Sequence, residues 1–234
     1  MELYRFLVTF FHDGGFFLYP TALIFLVGVA IIIERSVYLT IETSRNRSLW
    51  KELTPHLSQG NFKQALALTS RSKAAIATVL NYGMARLGVS RRRDDIEKAM
   101  DESLLEIIPR LETRTHYLTA MANIAMLTGL LGTIIGLIRA FSSIATANPA
   151  EKASLLSASI SVAMNNTASG LFVAITLLVS HMFLESKTTK IIDSLEIAAV
   201  KFLNSVVERW HEPEGHAAPS AAAGRAPNAT RGVA

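Results

Sequence analysis

The sequence predicts an all-α integral membrane protein with three transmembrane helices, the second and third of them long, and a large cytoplasmic helical segment between the first and second. Three observations carry this. Charged residues make up only 18% of the 234 residues, where soluble domains average about 25%. They are missing altogether from the windows 14–33, 115–138 and 153–184, each long enough for the roughly 20 apolar residues that cross a bilayer. Elsewhere the apolar residues recur at helical spacing, as in Phe62, Ala65, Leu66, Leu68 and in Ile96, Met100, Leu104, Leu105, Ile108. A soluble helix keeps one solvated face, so uncharged windows of this length argue against a soluble enzyme. The absence of Cys excludes disulfides, thiolate catalysis and Cys-ligated metal.

Taken in order, residues 1–15 form an extracytoplasmic amino terminus and 16–33 the first span, which ends sharply at Glu34-Arg35. The segment before it carries Glu2, Arg5 and Asp13 instead of a basic run, so a cleaved signal peptide is not expected. Residues 34–114 form the cytoplasmic segment, with breaks at Gly60-Asn61 and Gly88–Ser90 and a helix start at Asp94-Asp95. From Asp94 the helical pattern runs on toward the second span, 115–144, with Pro109 as a kink or a break. A short extracytoplasmic loop, 145–153, leads to the third span, 154–184. A cytoplasmic helix extension covers 185–210, and 211–234 is an Ala/Pro/Gly-rich tail with no apolar period, read as disordered. Segment 34–114 holds 14 Lys and Arg and the chain after Leu184 six, against Arg5, Arg139 and Lys152 on the other side. The positive-inside rule therefore places the amino terminus outside and the carboxyl terminus in the cytoplasm.

Spans two and three carry more than lipid-facing residues. At roughly 100° per residue, Ala122, Met126, Gly129, Gly136 and Ala140 lie within about 60° of Thr133. In span three Ala163, Thr167, Gly170 and Ala174 form a second small face, Ser154, Ser157, Ser161 and Asn165 a polar stripe, and Asn166 sits between the two. Small residues every four positions let membrane helices approach closely, so a packing seam explains the glycines. Two adjacent intramembrane Asn need a partner or water, which bundle hydrogen bonds or a pore lining both supply. Neither face has a carboxylate or Lys; a group that carries ions through here has to come from another chain. His181, near the inner end of span three, reads as a snorkelling or capping side chain, Glu34-Arg35 as an interfacial anchor, and Arg91-Arg92-Arg93 as a solvated helix entrance, a cytoplasmic docking surface or a lipid-headgroup contact. No phosphate loop, metal-ligand cluster or catalytic spacing is present, and the basic residues are not interleaved with aromatics as for nucleic acid.

The stretches 117–141 (YLTAMANIAMLTGLLGTIIGLIRAF) and 165–179 (NNTASGLFVAITLLV) resemble the MotA/TolQ/ExbB proton-channel family, closest to its TolQ/ExbB branch. The matches are Gly129-Leu130-Leu131-Gly132-Thr133-x-x-Gly136 and Thr167-Ala168-x-Gly170-Leu171-x-x-Ala174-Ile175, with the Glu34-Arg35 ending of span one and the order of parts. The resemblance implies a homo-oligomeric, pentameric ring in the bacterial inner membrane, its second and third spans lining a pore. Inside it sits a dimer of a single-span partner similar to TolR, ExbD or MotB, whose membrane Asp carries the proton. No cofactor, enzymatic activity or nucleic-acid partner is implied; membrane lipids surround the ring. By position Thr133 and Thr167 match the family's pore threonines, with Asn165 and Asn166 beside them on the ion pathway. Gly129, Gly132, Gly136, Ala163, Gly170 and Ala174 form the packing and pore faces. Three positions depart from the pattern: Val162 where a Glu is usual, Met126 where a Pro often precedes the glycine motif, and Thr176 where Pro commonly follows Ala-Ile. From the residues alone, a non-conducting membrane scaffold organising cytoplasmic partners through 34–114 remains the competing reading.

Overall fold

The computed structural model describes residues 16–211; the readings made above for the amino terminus 1–15 and the tail beyond His211 lie outside them. Six helices follow one another: α1 (Leu18–Ser58), α2 (Phe62–Arg71), α3 (Ala75–Leu87), α4 (Arg93–Glu112), α5 (Tyr117–Thr146) and α6 (Lys152–His211). No strand occurs among the described residues. Three helical stretches are long and apolar enough to cross a membrane: α1, the α4–α5 run and α6. At about 1.5 Å per residue, α6 is a rod of about 90 Å. It packs along α5 and then against α1, α4 and α3.

Each turn has a local cause. Helix α1 ends after Pro55, and Gly60 at φ 70° closes it; Gly60 N–H donates to Leu57 O at 3.0 Å and Asn61 N–H to His56 O at 2.8 Å. Asn61 then caps α2, its side chain accepting from Gln64 N–H at 3.4 Å. The Arg209 guanidinium occupies the space a Cβ at Gly60 would need and donates to Ser58 O at 2.9 Å. Ser90 opens α4: its hydroxyl donates to Asp95 at 2.7 Å and accepts from Arg92 N–H at 3.3 Å.

The α4–α5 run is interrupted between Glu112 and Tyr117, a few residues beyond Pro109. Pro109 sits inside the last turn of α4, where its missing N–H leaves only one carbonyl unserved. The elbow 113–116 is instead made by Arg114 at φ 65°. Two side chains from α1 hold it. Arg35, buried, donates to Leu111 O, and exposed Glu34 pairs with Arg114. The adjacent pair at the end of span one is thus a clamp on the elbow, beyond the interfacial anchor that the sequence suggests.

Past the first span α1 buries Arg35, Leu39, Glu42, Asn46, Leu49, Leu53 and Leu57, spaced by three and four. Its leucines meet Val79, Leu80 and Met84 of α3, Ile96, Met100 and Leu104 of α4, and Leu195, Phe202 and Val206 of α6 in one core. Full burial of each such side chain is worth about 1.5–3 kcal/mol. Besides Arg35, two polar members of the stripe have partners. Glu42 Oε1 accepts from Ala75 N–H at 2.6 Å and Asn46 Oδ1 from Ile76 N–H at 3.1 Å. Helix α3 has no side-chain cap of its own, so α1 caps it from across the core, with a carboxylate at the positive end of the helix.

Glu42→Ala and Asn46→Ala should each lower stability by about 1 kcal/mol or more, because each leaves a buried N–H unpaired. Hydrogen exchange at Ala75 and Ile76 checks this: both amides should exchange faster, with little change in α5. At the other end of the segment, the Ser90 hydrogen bond holds the Asp95 carboxyl below its ordinary value. A carboxyl depressed in the folded state stabilises it above the unfolded pKa and loses that contribution as pH falls through the folded one. In Ser90→Ala the Asp95 carboxyl should titrate at higher pH than in wild type when followed by NMR.

Candidate functional site in the helix seam

Helices α5 and α6 run antiparallel through the uncharged windows, and small residues set how close they come. A Cβ at Gly170 would lie 2.7 Å from Ala125 O and 2.9 Å from Gly129 Cα. One at Gly129 would lie 2.9 Å from Asn166 O. The two backbones are in contact, which only glycine permits. Gly132 faces the Asn166 side chain and Phe17 Cβ, and Gly136 meets Ala163 Cβ at 3.1 Å from a Cβ position of its own. Ala122 and Ala125 on α5, with Ala163 and Ala174 on α6, are buried in the same seam.

That approach brings Thr133 and Thr167, 34 residues apart in sequence, into direct hydroxyl contact. The Thr133 hydroxyl also reaches Gly129 O at 3.2 Å and Ala163 O at 3.3 Å, and the Thr167 hydroxyl reaches Gly129 O at 3.3 Å. Both threonines are half-buried. Two hydroxyls therefore share a small set of carbonyl acceptors, and each can turn to donate or to accept as a visiting group requires. Asn166 is 4% exposed, and its Oδ1 is buried with no hydrogen-bond partner. An unpaired acceptor in such a place costs about 1–3 kcal/mol. Asn165 is half-buried, while Ser154, Ser157 and Ser161 are exposed. The polar stripe of span three is therefore outside the seam, and Asn166 inside it.

The predicted site residues separate into two places. Thr133, Thr167, Asn166, Gly129, Gly132, Gly136, Ala163 and Gly170 are together in the seam, with Ala174 buried further along α6 and Asn165 on its flank. Arg91, Arg92 and Arg93 are exposed at the turn into α4, distant in the chain from both; Arg93 forms a 3.8 Å ion pair with Glu97. The face of α5 and α6 away from the seam is apolar and uncovered, including Leu127, Ile134, Ile138, Phe172, Ile175 and Phe183, as expected for surface that meets lipid or other membrane helices.

Compared with known proteins, the described geometry falls within a matched region: residues 71–197 match the MotA/TolQ/ExbB proton channel family. The chain belongs to that family. Its relatives include the biopolymer transport protein ExbB-like 3 of Synechocystis sp., 30% identical over 174 residues that cover 73% of this chain and 81% of the relative. The biopolymer transport protein exbB1 of Vibrio cholerae is 28% identical over 163 residues, 69% of this chain and 71% of the relative. An ExbB homolog of Methanothermobacter thermautotrophicus is 24% identical over 189 residues, covering 80% and 66%. Family membership and the three apolar helices make this a membrane protein of the MotA/TolQ/ExbB kind, a family of ion-driven energy-transducing complexes and not one of enzymes.

Sequence reasoning did not find the polar end of this seam. At the elbow, Glu112, Thr115 and His116 face His181, Glu185, Thr188 and Thr189 around a cavity of about 240 Å³. The available signal was His116 at the edge of the second uncharged window, which has no meaning until the elbow folds it toward α6.

The seam predicts an order of tolerance among its glycines. Gly170→Ala presses on backbone at every near contact and should cost about 1–3 kcal/mol, whereas Gly136→Ala is tight only against the Ala163 methyl, with Ala163 backbone at ordinary contact distance, and should cost much less. Thermal melting of the two purified variants in the same detergent gives the comparison.

Proposed function

We propose that this chain is the pore-forming subunit of a proton-driven inner-membrane motor. In this reading five copies form a ring around a dimer of a single-span TolR/ExbD/MotB-like partner, and the complex converts the ion gradient into mechanical work across the envelope. The amino terminus is periplasmic, the carboxyl terminus cytoplasmic, and Arg91, Arg92 and Arg93 are a cytoplasmic docking surface. Family membership supports the coarse reading, since members work in complexes with TolR/ExbD-like partners.

The observation that carries the finer reading is the Thr133–Thr167 hydroxyl pair, set among backbone carbonyls in spans without a carboxylate. The partner's Asp alternates between a charged form that only accepts hydrogen bonds and a neutral form that also donates one. Two threonine hydroxyls serve both: they donate to the carboxylate and accept from the acid. They thus let the group be neutralised and recharged without a competing fixed charge in the wall. Val162, where TolQ and ExbB members usually carry Glu, leaves this work to hydroxyls and to the amides of Asn165 and Asn166.

Native mass spectrometry of the complex, purified from its own cells in mild detergent, tests composition: five copies of this chain with two of a small single-span protein bearing a membrane Asp is the expected result. In proteoliposomes holding that complex, Thr133→Val and Thr167→Val should abolish proton flux while Thr→Ser at either position retains most of it. A partner-free assembly of another size, with flux indifferent to both threonines, would favour a scaffold.

A further inference from the structure

The seam does not end in apolar packing. Along α6, at roughly 100° per residue, Ala174, His181 and Glu185 all fall within about 40° of Thr167. The face that carries the hydroxyl pair therefore continues, about 21 Å further toward the inner end of the span, into an imidazole and a carboxylate. There α5 has ended and the elbow leaves the cavity of about 240 Å³ open beside them. His181 is 21% exposed and its Nδ1 lies 3.6 Å from Glu185 Oε2; Glu185 is 66% exposed. Across the cavity are Glu112 from α4 and His116 from the elbow. Thr115, 5% exposed, contributes a hydroxyl that is buried and has no hydrogen-bond partner. A buried unpaired hydroxyl on the wall of a polar cavity calls for water. The charged groups on the elbow's other side are already engaged, Arg114 with Glu34 and Arg35 with Leu111 O.

We propose that this pocket is the cytoplasmic proton-release site of the pathway, with His181 as the group that receives the proton and Glu185 as the group that passes it to bulk water. The proposal rests on the proton-driven reading above. A proton that reaches the pocket as hydrated proton bonds to an imidazole nitrogen of His181, leaving neutral water behind. The Glu185 carboxylate lies 3.6 Å from Nδ1, placed to accept the proton. Glu185, the more exposed of the two, takes the proton from it and gives it to cytoplasmic water, which restores the neutral imidazole. His116 and Glu112 provide a second exchanging pair on the opposite wall, and Thr115 orders the water between them. No oxidant or further reactant enters.

The test uses the native complex in inside-out proteoliposomes, with proton flux driven by a potassium diffusion potential and read with a pH dye. His181→Gln/Glu185→Gln should lower flux about tenfold or more, a positioned proton-transfer group being worth about 10²–10⁴-fold in catalysis. It should also flatten the dependence of flux on the pH of the cytoplasmic-side buffer. In His181→Ala, imidazole added on that side should restore flux, a rescue that repacking cannot produce. Flux and pH profile like wild type in the double variant, in a complex whose flux Thr133→Val abolishes, would overturn the release site and leave the motor reading standing. Lost flux with a lowered melting temperature and no imidazole rescue would overturn it too, as a structural effect. If Thr133→Val and Thr167→Val also leave flux intact, the motor reading itself falls and the release site with it.

Discussion

The contact on which the rest of the membrane part depends is backbone against backbone, at Gly129 and Gly170. With no hydrophobic gain between helices already in lipid, close packing is what holds α5 to α6, and a methyl group at Gly170 would press on Ala125 O and Gly129 Cα. Everything distinctive in the seam follows from that separation. Only at this distance do the Thr133 and Thr167 hydroxyls touch, and only then is Asn166 shut in against Gly132. The seam is tight where it is made of Gly and Ala and polar where Thr and Asn interrupt them. This orders dry contact and hydrogen-bonding chemistry along one line.

The helical part outside the membrane-spanning stretches solves a different problem with different residues. Its short helices α2 and α3 cannot hold themselves, since a helix of about ten residues is marginal alone. Helix α1 supplies both an apolar stripe and two acceptors in the middle of it, Glu42 and Asn46, for the otherwise uncapped amides at the start of α3. Seven residues before Glu42, Arg35 takes a carbonyl at the end of α4. One helix thus satisfies the orphan backbone groups of two others, which fixes their positions as well as their ends.

Much of this was legible in the sequence because it is local. The three uncharged windows mark helices that can span a membrane, and helical spacing places Thr133 and Thr167 at the centres of small faces. Gly60 and Ser90 mark turns by their own chemistry. What could not be read is what depends on residues far apart in the chain. The elbow at 113–116 is set by clamps that reach across 76 and 80 residues, Arg35 to Leu111 and Glu34 to Arg114, so Pro109 pointed near the break but not to it. Glu42 and Asn46 interrupt an apolar stripe, which sequence can register, but their partners belong to α3. The facing of His116 and His181 exists only once the elbow is bent.

Helix α6 contains one glycine, Gly170, and no proline; from Leu171 to His211 neither occurs. Kinks in helices arise at such residues or where the hydrogen-bond ladder is interrupted, so the lower two thirds of α6 has no hinge. The same rod that presents Thr167 within the seam buries Phe202 in the core shared with α1, α3 and α4. Torsion applied near Thr167 would meet no glycine or proline hinge below Gly170, so the rod would pass it on to the helices packed around Phe202 by nearly the same angle.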